Sequence, residues 1–360
     1  MSTRCLLLVG TKKGAFILES DGARDRWDVR GPFMENWGIH DLSVDEASGA
    51  ILAGGASSWY GPAVWQSPDL GSTWTHSSEG LTYGDGADAP KLKTVWNVIG
   101  AHGALFAGVE PAGLFRSDDA GATWQHVGGL RDHPSRPEWQ PGAGGLICHT
   151  IIAHPSDAER MWVAISAAGT FETTDGGATW ATRNQGVRAD FDPGPTPEFG
   201  QCVHKLIRAA GEDEVLLQQN HCGVYRSTNG GVAWDEITPG LPSQFGFPMA
   251  GHPRDPATAW VIPLDGDDKL HTVPEAKAAV WRTSDAGASW TRLDRGLPQE
   301  KAYLQVLREA MAVDRLEPAG VYFGTSSGRV YGSPDEGATW SVVADDLPPI
   351  WSVEAHVIED

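Results

Sequence analysis

Short apolar runs, each bounded by glycine, proline or aspartate, recur along the whole chain. In one unit the runs are TVWNVIGAH at 94–102, ALFAGVE at 104–110, GLFRS at 113–117 and WQHV at 124–127. Runs of this length, with no helical spacing of apolar residues between them, indicate strands rather than helices. The pattern therefore predicts four antiparallel strands in each unit.

An eight-residue box of Ser or Thr, Asp, Gly and Trp lies between the third and fourth run of each unit. Its copies are SPDLGSTW at 67–74, SDDAGATW at 117–124, TTDGGATW at 173–180, STNGGVAW at 227–234, TSDAGASW at 283–290 and SPDEGATW at 333–340. A degraded seventh copy near the N-terminus retains Ser20, Asp21, Gly22 and Trp27. Strand-forming units that repeat with a period of about 50 residues predict a β-propeller with one blade per copy.

The two ends of the chain are predicted to form one blade together. The first strands of the units are 38–45, 94–102, 147–155, 202–209, 245–253, 308–314 and 350–356. The last of them has no later strands, and the chain begins with a second strand, CLLLVG. We therefore predict an all-β fold, a single seven-bladed β-propeller over residues 1–360 that is closed by the C-terminal strand. Closure of this kind removes exposed sheet edges.

The aspartate of the box is predicted to hold a turn rather than to catalyse a reaction. Because the box joins the third strand to the fourth, it forms a hairpin turn in which the aspartate accepts backbone N–H groups. The fourth copy has Asn229 in place of the aspartate, and an amide cannot exchange protons as a carboxylic acid does. Asp119 and its equivalents are therefore predicted to be structural.

The pattern S/T-x-D-x-G-x-T/S-W resembles the Asp-box, or BNR repeat, of the sialidase-like superfamily. That superfamily includes sialidases, xyloglucan-degrading glycosidases, the sortilin ectodomain and a photosystem II assembly factor. The resemblance implies the propeller fold over nearly the whole chain, but not one chemistry, since these proteins differ in what they do. It also implies that ligands bind on the face opposite the boxes, at the central mouth.

Long loops lead to that face, and the inner strands place polar residues near it. The loops are 80–93, 128–146, 183–201 and 264–279. Alignment of the first strands puts one residue of each at an equivalent position, namely His40, Asn97, His149, His204, Phe247, Glu309 and Trp351. Imidazoles that converge from separate blades predict a divalent metal held by His40, His149 and His204, with Glu309 as a fourth ligand or as a carboxylate that orients one ring.

Two other interpretations of these histidines stay open. In one, each imidazole only hydrogen-bonds backbone groups and water in a polar channel. In the other, the site catalyses acid–base chemistry without a metal. His221, Glu110 and Arg308 lie on the same predicted face and are the candidate catalytic groups. A second set of histidines, at the far ends of the inner strands, is predicted to be structural: His102, His154, His252 and His356.

Aromatic residues in the mouth loops suggest a flat ligand. They are Trp59, Tyr60, Trp139, Phe191, Phe199 and Phe245. These rings are predicted either to stack on a sugar or an aromatic molecule, or to cover the core beneath the loops. The predicted partner is therefore a small-molecule, carbohydrate or aromatic ligand.

Composition narrows the class of protein. The formal net charge of −20 repels phosphate backbones and anionic lipid, which argues against nucleic acid and membrane partners. The four cysteines show no CxxC spacing, which is typical of reduced thiols. With no membrane-length apolar run and no signal-peptide pattern at the N-terminus, we predict a cytoplasmic protein.

Two classes of function fit this sequence. The Arg-Ile-Pro segment of sialidases is absent, so true sialidase activity is not predicted. The familiar xyloglucan-degrading enzymes use two propellers that flank a cleft, whereas the repeats predict one propeller here. The first class is a hydrolase or lyase, glycosidases included, that acts on a small molecule in the mouth. The alternative is a non-catalytic binding or assembly propeller resembling the photosystem II assembly factor. An enzyme requires its polar cluster to line a pocket, whereas an assembly module requires a broad, shallow patch.

Overall fold

The structure, a computed structural model, describes residues 3–84, 86–87, 89–191, 194, 196–266 and 271–359. It confirms the predicted fold class, a seven-bladed β-propeller in which each blade is a sheet of four antiparallel strands. The chain divides into two compact units. The four-blade unit comprises Met1–Glu35, Gly186–Arg188 and His204–Asp360, and the three-blade unit comprises Asn36–Gln185 and Ala189–Val203. A single domain over 1–360 stays a prediction.

Blades I to VII are numbered from the N-terminus. Blade I begins with β1 (Thr3–Thr11), β2 (Gly14–Asp21) and β3 (Asp28–Phe33). Blades II to IV form the three-blade unit. Blade II consists of β4 (Gly38–Val44), β5 (Ile51–Ser57), β6 (Gly61–Ser67) and β7 (Thr75–Ser77), and blade III of β8 (Thr94–Ala101), β9 (Ala104–Glu110), β10 (Gly113–Ser117) and β11 (Gln125–Val127). Blade IV consists of β12 (Ile147–Ala153), β13 (Met161–Ser166), β14 (Gly169–Thr173) and β15 (Ala181–Thr182). Strands β9 and β10 have the bounds that the apolar runs predict.

Blades V to VII, together with blade I, form the four-blade unit. Blade V consists of β16 (Val203–Arg208), β17 (Leu216–Asn220), β18 (Gly223–Ser227) and β19 (Asp235–Glu236), and blade VI of β20 (Gly246–Gly251), β21 (Ala259–Pro263), β22 (Val280–Thr283) and β23 (Thr291–Leu293). Blade VII consists of β24 (Met311–Val313), β25 (Val321–Gly324), β26 (Val330–Ser333) and β27 (Ser341–Ala344). The last strand, β28 (Ile350–Glu359), belongs to the sheet of blade I.

Short helical turns occur in two of the loops that were expected to be irregular. Helix α1 spans Gly128–Arg131, and 3₁₀ turns span Arg136–Glu138 and Pro274–Ala276. Turns of three or four residues are too short to leave a periodic pattern in the sequence. Among the described residues, no helix combines the length and the apolar character that a membrane-spanning helix needs.

The closure of blade I is confirmed. Strand β28 pairs antiparallel with β1, in a register that sets Leu6 opposite His356 and Leu8 opposite Glu354. The sheet order is β28–β1–β2–β3, so the C-terminal strand is the inner strand of the N-terminal blade. Because Leu6 and Leu8 are completely buried, β1 has its apolar side chains covered as well as its backbone paired.

The inner strand of blade VII is shorter than predicted. The sequence predicts a strand over 308–314, but β24 spans only Met311–Val313. Glu309 instead forms a parallel bridge with Ser352, and its carbonyl oxygen accepts the Val353 N–H at 2.8 Å. The backbone of Glu309 is therefore bonded to blade I rather than to its own blade.

The box forms the turn that the sequence predicts. In the copy at 117–124, Asp119 Oδ1 accepts the Thr123 N–H at 2.9 Å, and Oδ2 accepts the Thr123 hydroxyl at 2.6 Å. The Ser117 hydroxyl donates to Asp119 Oδ1 and accepts the Gly121 N–H. These hydrogen bonds, that from the Thr123 side chain first, lower the pKa of Asp119 to about 2. The carboxylate is bound within its own turn, as a structural role requires.

The fourth copy shows why an asparagine is accepted there. Asn229 Oδ1 accepts the Ala233 N–H at 3.0 Å, which reproduces the backbone bond of the other copies. In each of the other five full copies the position of Ala233 carries a hydroxyl that donates to the second carboxylate oxygen, from Thr73, Thr123, Thr179, Ser289 or Thr339. Since Ala233 has no hydroxyl, the turn needs no second acceptor.

We expect Asp119→Asn to lower the melting temperature by about 1–2 °C, because the Thr123 hydroxyl loses its charged acceptor. Adding Thr123→Ala should cost little more, since the double variant reproduces the Asn229–Ala233 pair of the fourth copy. Thermal unfolding of the wild type, both single variants and the double variant measures this coupling. Costs that simply add would contradict the pairing.

Candidate functional site

A β-bulge in the inner strands sets which side chains are displaced from the regular ladder. The bulged residues are His40 in β4, Trp96 in β8, His149 in β12 and Trp351 in β28, and β20 has a bulge between Gly246 and Met249. The alignment that placed Asn97 beside His40 and His149 is therefore wrong by one residue, because Trp96 occupies that position. Bulges re-aim side chains and are frequent beside functional sites.

In the three-blade unit, the inner strands are tied to one another by polar side chains. Asp41 Oδ2 accepts the Val98 N–H and an Asn97 amide N–H, both at 2.9 Å. Asn97 Oδ1 accepts the Ile151 N–H at 2.9 Å. These bonds run from one blade to the next, so Asn97 is a structural residue in this arrangement.

His149 makes a tie of the same kind. Its ring is completely buried, with Nε2 2.9 Å from the Val203 carbonyl oxygen and Nδ1 2.9 Å from the Thr150 hydroxyl. A carbonyl can only accept, so Nε2 carries the proton, and Nδ1 accepts from the hydroxyl. Both nitrogens are therefore engaged, as expected for a histidine that hydrogen-bonds backbone groups. Ligation of a metal by this ring would break one of these bonds.

His40 and Glu110 also belong to the three-blade unit. The His40 ring lies 4.1 Å from the Trp96 ring, measured between centroids. Glu110 Oε1 accepts from Lys93 Nζ at 2.7 Å, and Oε2 accepts from the Trp96 indole at 3.4 Å. Trp96 thus links His40 to Glu110, a contact that the sequence alignment did not anticipate.

In the four-blade unit, His204 lies in a cluster of imidazole and phenyl rings. His204 is almost fully buried, and its Nδ1 lies 2.6 Å from the Gly246 carbonyl oxygen. The rings of His221, Phe245 and Phe247 have centroids 5.6, 5.1 and 4.7 Å from that of His204. His271 stacks on Phe245 at 4.7 Å. His204 and His221 are thus brought together as predicted, and His271 joins them from the insertion at 264–279.

Arg308 adds a positive charge to this cluster. Its guanidinium carbon lies 5.9 Å from the centroid of the Phe247 ring. Burial lowers the pKa of His204 well below its usual range, and the charges of Arg308, His221 and His271 lower it further. His204 is therefore neutral near pH 7 and suits a buried structural position better than a role as a proton carrier.

Beside this cluster, two carboxyl groups lie in contrasting environments. Glu309 is buried and forms an ion pair with Lys205 through Oε2. Glu354 lies on β28, two residues beyond Ser352, the residue that the Glu309 backbone bridges. Alternate residues of a strand share one face, and ordinary strand spacing puts the Glu309 and Glu354 Cα atoms roughly 8 Å apart.

Glu354 has the character of an acid that is protonated near neutral pH. It is open to water but closely surrounded by protein. The protein around the carboxyl group displaces part of its hydration, and this effect, with the negative charge of Glu309, outweighs the positive charges of Lys205 and Arg315 and raises the pKa of Glu354 to about 7. Of two carboxyl groups that differ in protonation, the protonated one can donate a proton and the ionised one can accept a proton in the same reaction.

The metal site predicted from His40, His149, His204 and Glu309 stays a prediction. His40 and His149 belong to the three-blade unit, and His204 and Glu309 belong to the four-blade unit. In this structure Glu309 is engaged by Lys205 and His149 by two hydrogen bonds.

The aromatic residues of the loops divide into two groups. Trp59 and Tyr60, at the tip of the β5–β6 turn, are 84% and 77% exposed, and Phe191 is also exposed. Trp139 and Phe245 are buried in the core, and Phe199 packs against it. The stacking interpretation thus remains open only for the exposed group. The loops 80–93, 183–201 and 264–279 each include positions outside the described residues.

The far-end histidines whose contacts are known are structural. His154 Nδ1 accepts the Ser156 and Asp157 N–H groups, and His252 Nδ1 accepts the Arg254 and Asp255 N–H groups. His102 Nε2 lies 2.7 Å from the His154 carbonyl oxygen. No disulfide joins the four cysteines, Cys5, Cys148, Cys202 and Cys222.

Sequence reasoning missed Lys205, His271 and Glu354. Lys205 and Glu354 each give the inner strand of a blade a charged residue, within CVHKLIRA and IWSVEAH. A charged residue in an otherwise apolar strand indicates that it has a buried partner or a function, but the partner lies far away in the chain. Lys205 and Glu309 are 104 residues apart, a pairing that no local pattern specifies.

The chain is similar to a curated protein in sequence and to several solved structures in fold. No family model matches the sequence. A xyloglucanase from Paenibacillus sp. is 27% identical over 286 residues, which cover 71% of this chain and 24% of that protein. The chain thus spans about a quarter of the length of this relative.

Solved structures show the same fold at low sequence identity. The GH74 enzyme of Niastella koreensis superposes with a TM-score of 0.55 at 13% identity, over 96% of this chain and 65% of that chain. YCF48 bound to D1 peptide superposes with a TM-score of 0.56 at 15% identity, over 86% of this chain and 81% of that chain. At these identities the likeness concerns the fold alone. The chain is therefore a seven-bladed propeller with a xyloglucanase among its relatives.

Proposed function

We propose that this protein is a glycoside hydrolase in which Glu354 acts as the general acid and Glu309 as the general base. The observation that carries the proposal is the contrast between the two groups, one paired with Lys205 and the other protonated near neutral pH. Glycosidases generally use two carboxyl groups whose environments separate their pKa values. The xyloglucanase relative favours a glycosidic bond over other hydrolysable bonds.

In the proposed reaction, the bond that breaks joins the anomeric carbon to the glycosidic oxygen. Glu354 gives its proton to that oxygen as it leaves, and Glu309 takes a proton from the water that attacks the anomeric carbon. One water is consumed, and the two products are a free sugar and an alcohol. Proton exchange with solvent then returns Glu354 to its acid form and Glu309 to its carboxylate.

Neighbouring side chains are suited to hold a sugar. Trp351 is the bulged residue of β28, three positions before Glu354, and Phe247 packs against His204. Aromatic faces of this kind stack on the apolar face of a pyranose ring. His221 and Arg308, the catalytic groups expected from the sequence, lie beside Phe245 and Phe247 and are assigned here to binding of sugar hydroxyl groups.

The first test is a panel of 4-methylumbelliferyl glycosides, together with xyloglucan oligosaccharides. We expect turnover of at least one substrate. With the xyloglucan oligosaccharides, whose leaving sugar oxygen needs a proton, kcat/KM should fall as pH rises through about 7, because Glu354 then loses the proton it must donate. Turnover of the oligosaccharides that stays constant from pH 6 to 9 would exclude Glu354 as the acid. No turnover of any member of the panel would count against the proposal as a whole.

A non-catalytic binding propeller is the second candidate. The observation that favours it is the exposure of Trp59 and Tyr60 in the three-blade unit, which form an apolar tip that a partner would cover. YCF48, a protein of the same fold, has a peptide bound in its solved structure. Under this alternative, replacing Trp59 and Tyr60 would abolish binding of the partner, while Glu354→Gln would leave that binding intact.

A further inference from the structure

Outside the carboxyl pair, the four-blade unit contains a cavity of about 310 Å³ on blade VI. Its apolar lining is formed by Pro242, Pro263, Val273, Pro274, Ala279 and Trp281. Val273 and Ala279 are buried, and Trp281 packs against the apolar core between blades V and VI. A cavity about half this size is large enough to hold benzene, so one of 310 Å³ accommodates a ring with a short side chain.

The rim of the cavity is charged. Lys277, Arg292 and one carboxylate, Glu275, line it, and strand pairing sets Arg292 directly opposite Trp281. Lys277 pairs with Glu275 at 2.7 Å, and Arg292 pairs with Asp294 and donates a hydrogen bond to Gln299 Oε1 at 2.8 Å. The first pair is exposed and the second is partly exposed, so water and salt screen both and an incoming carboxylate can replace them.

The wall that carries Lys277 is held in an uncommon conformation. Glu275 and Ala276 both have left-handed backbone angles, with φ of 57° and 53°. Three backbone bonds pin the segment, from Val273 N to Leu304 O, from Ala278 N to Pro298 O and from Ala302 N to Ala276 O. Non-glycine residues in this conformation persist only where the surroundings enforce it, and they cluster at ligand sites. The backbone of this wall is therefore held in place by the protein itself.

We infer that this cavity is a binding site for a small aromatic carboxylate, with the ring against Trp281 and the prolines and the carboxylate between Lys277 and Arg292. The charged residues that line the cavity favour an anion, since two of them are cations and one is a carboxylate, on a chain with a net charge of −20. A planar ring matches a floor of indole and pyrrolidine rings, and Arg292 offers the paired donors that a carboxylate accepts. The site is separate from Glu309 and Glu354, and the inference does not depend on the proposed hydrolysis.

The test uses the full chain labelled with 5-fluorotryptophan, in which the ¹⁹F signal of Trp281 is assigned by Trp281→Phe. The probes are 3-phenylpropionate and its neutral analogue 3-phenylpropanamide. We expect the acid to shift the Trp281 signal in a saturable way and to bind at least about fivefold more tightly than the amide. The double variant Lys277→Met/Arg292→Met should weaken binding of the acid about tenfold and leave that of the amide unchanged.

Arg295→Met is the matched control, because Arg295 is exposed on the same blade but does not line the cavity. It should bind the acid as the wild type does, and so should Glu354→Gln. Three results would overturn the inference: no saturable shift, equal affinity for acid and amide, or undiminished binding of the acid by the double variant. Since Glu354→Gln is assayed for hydrolysis separately, failure of one proposal is distinguishable from failure of the other.

Discussion

Glu354→Gln is expected to lower kcat/KM for a glycoside with a poor leaving group by about 100-fold or more, because glutamine cannot donate the proton that the leaving oxygen needs. For a 4-nitrophenyl glycoside the loss should be much smaller, since 4-nitrophenolate leaves without protonation. Glu309→Gln should lower turnover of both substrates, because neither can react without activation of water. Initial rates of the two variants with matched alkyl and 4-nitrophenyl glycosides measure this contrast.

Glu359→Gln is the matched control for this experiment. Glu359 lies on the same strand as Glu354 but at its exposed end. Its replacement should leave the rates with both substrates unchanged. Equal losses in Glu354→Gln for alkyl and 4-nitrophenyl substrates would show that Glu354 is not the proton donor, and full activity of Glu309→Gln would remove the proposed base.

Deletion of residues 350–360 is expected to abolish cooperative folding. The deletion removes β28, which pairs with β1 from Thr3 to Thr11, and it uncovers Leu6 and Leu8. Loss of the buried side chains Ile350 and Val353 alone costs about 3–6 kcal/mol. That is a large part of the 5–15 kcal/mol by which folded proteins are usually stable. Circular dichroism and thermal unfolding of the truncated chain measure the effect.

A synthetic peptide of residues 350–360 provides the control for the deletion. Added in excess, it should restore part of the cooperative transition, because it can pair with the exposed edge of β1. A truncated chain that stays monomeric and melts at the wild-type temperature would show that β28 is not needed to close blade I.

The repeats predicted the fold well because each blade has its own local signals. Turn residues, short apolar strands and the box recur from blade to blade, so a strand that is hard to recognise in one copy can be located by comparison with the other copies. Where prediction failed, longer-range contacts decided the outcome. The bulge in β8 moved the equivalent position from Asn97 to Trp96, and the bridge from Glu309 to Ser352 shortened β24.

The candidate site was predicted less well than the fold. The sequence placed His204 and His221 on one predicted face, and their rings lie 5.6 Å apart. The sequence does not show that His149 uses both ring nitrogens, or that Lys205 reaches Glu309. The His149–Val203 and Lys205–Glu309 contacts join residues of different blades, so they depend on how the inner strands are placed rather than on local pattern. Glu354 was not singled out because its raised pKa depends on the surrounding protein and on Glu309.

The most direct test of the account is the titration of the Glu354 carboxyl group. The measurement is the ¹³C chemical shift of the carboxyl carbon against pH in protein labelled at glutamate, with the signal assigned by its absence in Glu354→Gln. The account predicts a midpoint near pH 7 that moves lower in Glu309→Gln, because a neighbouring negative charge is removed. A midpoint near 4.5, unaffected by Glu309→Gln, would contradict it.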